Sequence, residues 1–213
     1  MQQIVVIDYG MGNLRSVSKA IEHVAPDDSV LVTRDPDVIR SADKIVCPGQ
    51  GAAADCMQAL RDSQLDATVR EAFGNQPFLG ICMGYQVLFD DSEENDGVSC
   101  LGCISGTVKR FARPLLDLSG ARLKVPHMGW SEVIQKGAHP LWHGIEQDSR
   151  FYFAHSYYCV PQDHSLITGL CRYGNEFAAS VARENLFACQ FHPEKSAVAG
   201  LQLLKNFVHW RVG

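Results

Sequence analysis

The sequence predicts an α/β protein with a central, mostly parallel sheet flanked by helices and a smaller antiparallel extension. Three observations carry this. Apolar, β-branched runs alternate with amphipathic segments through the first half of the chain. Glycine-rich turns follow the first and third runs, at Gly10-Met11-Gly12 and Gly49-Gln50-Gly51. From Gly106 onward the pattern changes to short alternating strands.

Gln3–Ile7 reads as the first strand, and Asp8-Tyr9-Gly10-Met11-Gly12-Asn13 as the turn after it. A helix then places Leu14, Val17, Ile21 and Val24 on one face. Ser29–Thr33 is a second strand and Pro36–Ser41 a short helix. Lys44–Cys47 is a third strand, ending at Pro48-Gly49-Gln50-Gly51, and 52–60 and 65–73 are helical. In such a sheet the site lies at the C-terminal ends of the strands. Pro77–Ile81 is a buried strand leading into Cys82, and Val87, Leu88 and Phe89 fit the start of a packed helix. Residues 90–97 read as a polar, acidic loop. Strands are expected at 107–111, 123–125, 131–134, 151–160, 166–172, 178–183 and 187–191, and a last helix at 197–210. No linker, internal repeat or low-complexity segment interrupts the chain, so residues 1–213 are read as a single domain.

A chain of 213 residues with 46% hydrophobic content can bury a full core. Its net charge of −5 and lack of a basic cluster argue against nucleic acid as a partner. No apolar run approaches the ~20 residues needed to span a bilayer. The start, Met1-Gln2-Gln3, lacks a basic signal region. A cytoplasmic protein is therefore expected. Its eight cysteines have irregular spacing and are read as reduced thiols. Cys100-Leu-Gly-Cys103 has redox or zinc spacing, but no second ligand pair accompanies it. His139-Pro-Leu-Trp-His143 lacks the glutamate of a zincin pair and reads as a loop with a short helix. No metal and no cofactor is expected.

The chemistry centres on Gly80-Ile81-Cys82-Met83-Gly84-Tyr85-Gln86. An apolar strand, a cysteine flanked by glycines at two residues' distance and a following helix make a nucleophile elbow, with Cys in the place of Ser. The turn crowds the backbone, which suits glycine, and a helix N-terminus favours a thiolate. A thiol needs a base, and the base an orienting group. His192-Pro193-Glu194 offers both, because Pro193 holds His192 extended and Glu194 can accept its imidazole N–H. The other candidate base, His155, has no carboxylate neighbour in sequence.

These residues carry a resemblance. Gly80–Gln86 resembles the GxCxGxQ elbow of class I (triad) glutamine amidotransferases, and Phe191-His192-Pro193-Glu194 resembles their second signature. The similarity spans essentially the whole chain. It is strongest to the glutaminase subunits of imidazole glycerol phosphate synthases, through Ile7–Leu14, Pro126-His127-Met128-Gly129-Trp130 and His192–Ser196. The resemblance implies a flavodoxin-like glutaminase fold and hydrolysis of glutamine by a Cys82–His192–Glu194 triad. Met83 and the Gly49-Gln50-Gly51 segment would supply oxyanion donors, and Gln86, Glu94, Ser156 and Tyr157 would contact substrate. Family members often carry Val where this chain has Gln50, but backbone donors do not require a given side chain.

The resemblance further implies a partner, a separate (β/α)8-barrel cyclase subunit forming a heterodimer. It would use channelled ammonia to make imidazole glycerol phosphate and an aminoimidazole-carboxamide ribonucleotide in histidine biosynthesis. Asn13, His127, Trp130, Tyr152 and Lys195 match positions at that interface or along the ammonia passage, although a tryptophan such as Trp130 also suits a core. Two alternatives stay open at this point: the glutaminase of another triad amidotransferase, and a stand-alone cysteine hydrolase of γ-glutamyl peptides. A regulatory module with a dead site fits less well with an intact Cys82, His192 and Glu194.

Overall fold

The structure, a computed structural model, describes residues 1–212. The first half of the chain alternates strand and helix as the sequence pattern demands: β1 (Gln3–Ile7), α1 (Leu14–Val24), β2 (Ser29–Thr33), α2 (Pro36–Ser41), β3 (Lys44–Gly49), α3 (Ala53–Asp62), α4 (Asp66–Asn75), β4 (Phe78–Cys82) and α5 (Met83–Gln86). The chain closes on α6 (Ala197–His209).

One eight-stranded sheet organises these elements. Its order is Ile134–Gln135, Ile167–Tyr173, Asn175–Arg183, Leu186–Cys189, β4, β3, β1, β2. The five strands from Leu186–Cys189 to β2 run parallel. The other three are antiparallel, which is the expected extension. Strand periodicity sends alternate side chains to opposite faces. Val5, Ile7 and Ile45 thus join one core with Met57, Leu60, Val69 and Phe73 of α3 and α4. Ile4, Val6 and Val46 join the other with Val17 and Ile21 of α1 and Leu203, Leu204 and Phe207 of α6. Each such side chain, fully buried, contributes about 1.5–3 kcal/mol.

Several expectations need correction. The elbow helix is one turn long and does not continue through Phe89; Phe89–Ser92 is a strand, parallel to Ile104–Arg110. The short apolar run at 87–89 carries no period that separates helix from strand. Leu88 hands its carbonyl to the amides of Cys103 and Ile104, and this draws the chain into the second sheet. The polar stretch that follows is consequently part strand and part 3-10 turn (Glu94–Asp96) rather than a loop throughout. The run expected as one strand at 151–160 is two strands, Arg150–His155 and Tyr157–Pro161, broken at Ser156. The first half pairs with His127–Glu132 and the second with Ile104–Arg110, so the chain changes sheets at the break.

The eight cysteines are unpaired. Pro140–Trp142 forms the short helix expected between His139 and His143, and the His139 ring accepts the Leu141 N–H. Among the described residues no helix is long and apolar enough to cross a membrane.

Candidate active site

The register of the parallel sheet brings three strand ends together. Gly49 lies opposite Cys82 across β3 and β4, and Cys189 lies opposite Ile81 on the other side. The chain leaving Cys189 therefore delivers Gln190 and His192 to the level of the cysteine.

Cys82 closes β4 with φ +56° and ψ −109°. This is a strained conformation for a residue with a side chain, and the surrounding packing must hold it. The flanking glycine Gly84 shows how tight that packing is, because a Cβ there would overlap the Cys47 carbonyl oxygen. A Cβ on Gly49 would overlap the Tyr9 hydroxyl and come within 2.7 Å of the Met83 Cβ. Only glycines let the β3 end and the elbow approach so closely. The helix that Cys82 opens, α5, is a single turn.

The candidate base beside this cysteine is His192. Its Nδ1 lies 2.9 Å from Glu194 Oε1, with both side chains almost wholly buried. Since a carboxylate only accepts, Nδ1 carries the proton and Nε2 is left to face Cys82. Burial pushes the imidazole down, but hydrogen bonds to Cys82 and Glu194 and their negative charges outweigh it and raise His192 to about 10. The extended conformation at His192 (φ −101°, ψ 95°) is as expected, but a 3-10 turn at Pro193–Lys195 then folds Glu194 back onto the ring. Ser196 Oγ fixes this turn by donating to the His192 carbonyl at 2.5 Å and accepting the Tyr152 N–H at 3.0 Å.

Cys82 and His192 open onto a cavity of about 360 Å3. Gln50, Gly51, Met83 and Gln86 line it on the elbow side, and Glu94, Ser156, Tyr157 and Lys195 line the remainder. The eight substrate and oxyanion candidates thus come together, save that Gly49 lies beneath the wall. Glu94 Oε2 accepts the Ala53 N–H at 2.7 Å. Gln86 donates to the Tyr157 carbonyl at 3.2 Å and to Gln190 Oε1 at 2.9 Å, and its own Oε1 has no protein partner. The Gly49–Gly51 segment is held partly by the Cys56 thiol, which donates to the Gln50 carbonyl at 3.3 Å.

The five interface candidates are more dispersed. Asn13 caps α1, accepting the Ser16 N–H. Trp130, 44% exposed, lies on the surface beside Met128, 66% exposed, and not in a core. Trp130 and Tyr152 are cross-strand partners, and the Lys195 ammonium sits 5.9 Å from the Tyr152 ring. His127 is buried, stacked on Tyr173 at 3.8 Å, and its side chain does not reach the surface.

His155, the other candidate base, is unsuited to that role because both ring nitrogens are engaged: Nδ1 donates to the Tyr157 carbonyl at 2.7 Å and Nε2 meets His127 Nδ1 at 2.9 Å. Sequence reasoning missed two features. One is Ser196. The other is Gln190, whose Nε2 lies 3.8 Å from Cys82 Sγ. Its signal was present, a lone amide inside the apolar run Phe187-Ala188-Cys189-Gln190-Phe191.

A family model for glutamine amidotransferase class-I matches residues 5–210. The chain belongs to the class-I glutamine amidotransferase family. The imidazole glycerol phosphate synthase subunit HisH of Dechloromonas aromatica is 57% identical over 211 residues, covering 99% of this chain and 97% of that relative. HisH of Acinetobacter baylyi is 54% identical over 213 residues, covering 100% of both. Among solved structures, PurLQS from Thermotoga maritima superposes with a TM-score of 0.72 at 18% identity, over 98% of this chain and 99% of that one. A putative GMP synthase subunit from Thermoplasma acidophilum gives 0.70 at 17% identity, over 98% and 93%. At these identities the structures show a shared fold. The amidotransferase thus has the α/β architecture expected of it.

Proposed function

We propose that this amidotransferase is the glutaminase subunit of an imidazole glycerol phosphate synthase, and that Cys82, His192 and Glu194 perform the hydrolysis. The observation that supports it is that Cys82 and His192 line one cavity and that Glu194 Oε1 lies 2.9 Å from His192 Nδ1, both side chains being buried. The full-length HisH relatives support the particular synthase.

In this reading the Cys82 thiolate attacks the side-chain amide carbon of glutamine. Negative charge moves to the amide oxygen, where the Met83 N–H and an N–H of the Gly49–Gly51 segment receive it; one such donor contributes about 3 kcal/mol. His192 passes its proton to the departing nitrogen, and ammonia leaves. A water then gives its proton to His192 and attacks the thioester, releasing glutamate and restoring the thiolate. Glu194 keeps Nδ1 protonated throughout, so that only Nε2 exchanges protons. The free Oε1 of Gln86 and the Glu94 carboxylate are suited to the N–H groups of the substrate.

Ammonia is then used by the (β/α)8-barrel cyclase subunit, which combines it with an N-phosphoribulosyl-formimino-aminoimidazole-carboxamide ribonucleotide. The exposed Met128 and Trp130 and the Lys195–Tyr152 pair give the rim an apolar, aromatic and cationic surface suited to that subunit. The test is glutamate release by the chain alone and mixed with the barrel subunit, with and without the ribonucleotide. Release that rises on mixing supports the reading. Full activity alone, unchanged by the barrel, overturns it in favour of a stand-alone hydrolase.

A further inference from the structure

Gln190 is wholly buried, and its side chain sits between two partners. On one side Oε1 accepts from Gln86 Nε2 at 2.9 Å, and on the other Nε2 lies 3.8 Å from Cys82 Sγ. The orientation of each amide follows from the far end of the chain. The Tyr157 carbonyl can only accept, so Gln86 must turn its NH2 toward it. The second hydrogen of that NH2 is then aimed at Gln190, which must answer with its oxygen. The Gln190 NH2 is left to face the sulfur. The reverse orientation would set amide against amide and oxygen against sulfur, two repulsive contacts between buried groups.

We propose that Gln190 binds the Cys82 sulfur in its anionic form by donating an amide N–H to Sγ, acting in the glutaminase reaction beside His192. The inference rests on the reading of Cys82 as the nucleophile. A buried anion needs donors, and His192 supplies only one. Gln190 supplies a neutral second donor that holds no exchangeable proton for the reaction. Its backbone N–H is anchored on the Ala179 carbonyl at 2.8 Å, and its side-chain amide is held at the oxygen by Gln86. When Sγ attacks the substrate carbon, the charge leaves the sulfur and this hydrogen bond weakens. When water expels the sulfur from the thioester, the bond reforms and favours the thiolate as leaving group.

The test is the pH dependence of Cys82 alkylation by iodoacetamide in the full chain, read by peptide mass spectrometry so that the other cysteines do not contribute. Gln190→Met removes the donor and keeps the length; Gln190→Glu keeps the acceptor toward Gln86 and places a carboxyl at the sulfur. In Gln190→Met the acid limb is expected to move up by about one pH unit, with alkylation about tenfold slower below it. Gln190→Glu is expected to move it further, and it carries the test if the Met variant does not fold. A limb unchanged in these variants, with Cys82 still activated, overturns the role of Gln190 alone. A wild-type Cys82 that reacts as an ordinary thiol, with a limb near about 8.5, overturns the nucleophile reading and this inference with it.

Discussion

Gly49 lies directly opposite Cys82 in the parallel register of β3 and β4, so the proposed oxyanion segment and nucleophile share one rung of the sheet. Their spacing is set by backbone pairing and not by any side-chain contact. That arrangement tolerates variation such as Gln50 in the segment, yet it leaves no room for a Cβ at Gly49 or Gly84.

Gly84→Ala would drive a methyl into the Cys47 carbonyl oxygen, which is backbone and cannot rotate aside. We expect a loss of about 3 kcal/mol or more in urea unfolding, or insoluble protein. Gly74→Ala, where a Cβ meets nothing within 4 Å, is the matched control and should stay within about 1 kcal/mol of the parent.

Cys82→Ala is expected to abolish glutamine-dependent synthesis by the complex while ammonia-dependent synthesis persists, since added ammonia bypasses the thiol. Equal loss of both activities would assign Cys82 a structural role. The measurement is product formation with glutamine or with ammonium as the nitrogen source.

Glu194→Gln replaces an acceptor that fixes His192 with an amide that can turn either way. Glutamine turnover should fall by about a hundredfold or more, the scale of positioned acid–base catalysis. The sign of the stability change also follows. His192 is raised from 6.5 to about 10, so its protonated form stabilises the fold fully below about 6.5, and this contribution fades as the pH rises toward 10. The wild type should therefore lose more thermal stability than Glu194→Gln between pH 7 and pH 10.

The buried pair His127 and His155 works in the opposite direction. Burial lowers His127 to about 4, and burial, with the neighbouring His127 charge, lowers His155 to about 3. The folded protein refuses protons that the unfolded chain takes up below about 6.5. Stability should thus fall with pH by about 1.4 kcal/mol per unit for each ring between about 6.5 and 4. Urea midpoints at pH 7 and pH 5 test this, and a flat profile would contradict it.

Much of this molecule was legible from sequence because its signals are local. The parallel strands announce themselves as β-branched runs, and the elbow as glycines at fixed distance from Cys82. His192-Pro193-Glu194 works as a unit, although through a 3-10 turn that the extended-segment argument did not foresee. What escaped is long-range. Ser156 breaks one apolar run into two strands because its halves find partners in different sheets. Phe89–Ser92 is a strand because Ile104–Arg110 arrives beside it. The roles of Gln190, Ser196 and the His127–His155 pair depend on neighbours 28 to 108 residues away.

The central claim is that Cys82 is the atom that bonds to glutamine. Its most direct test is peptide mass spectrometry of the complex after exposure to an electrophilic glutamine analogue. The expected result is one adduct, on Cys82, suppressed by excess glutamine and absent from Cys82→Ala. Modification of another residue, or none on Cys82 while glutamate is still released, would contradict the account.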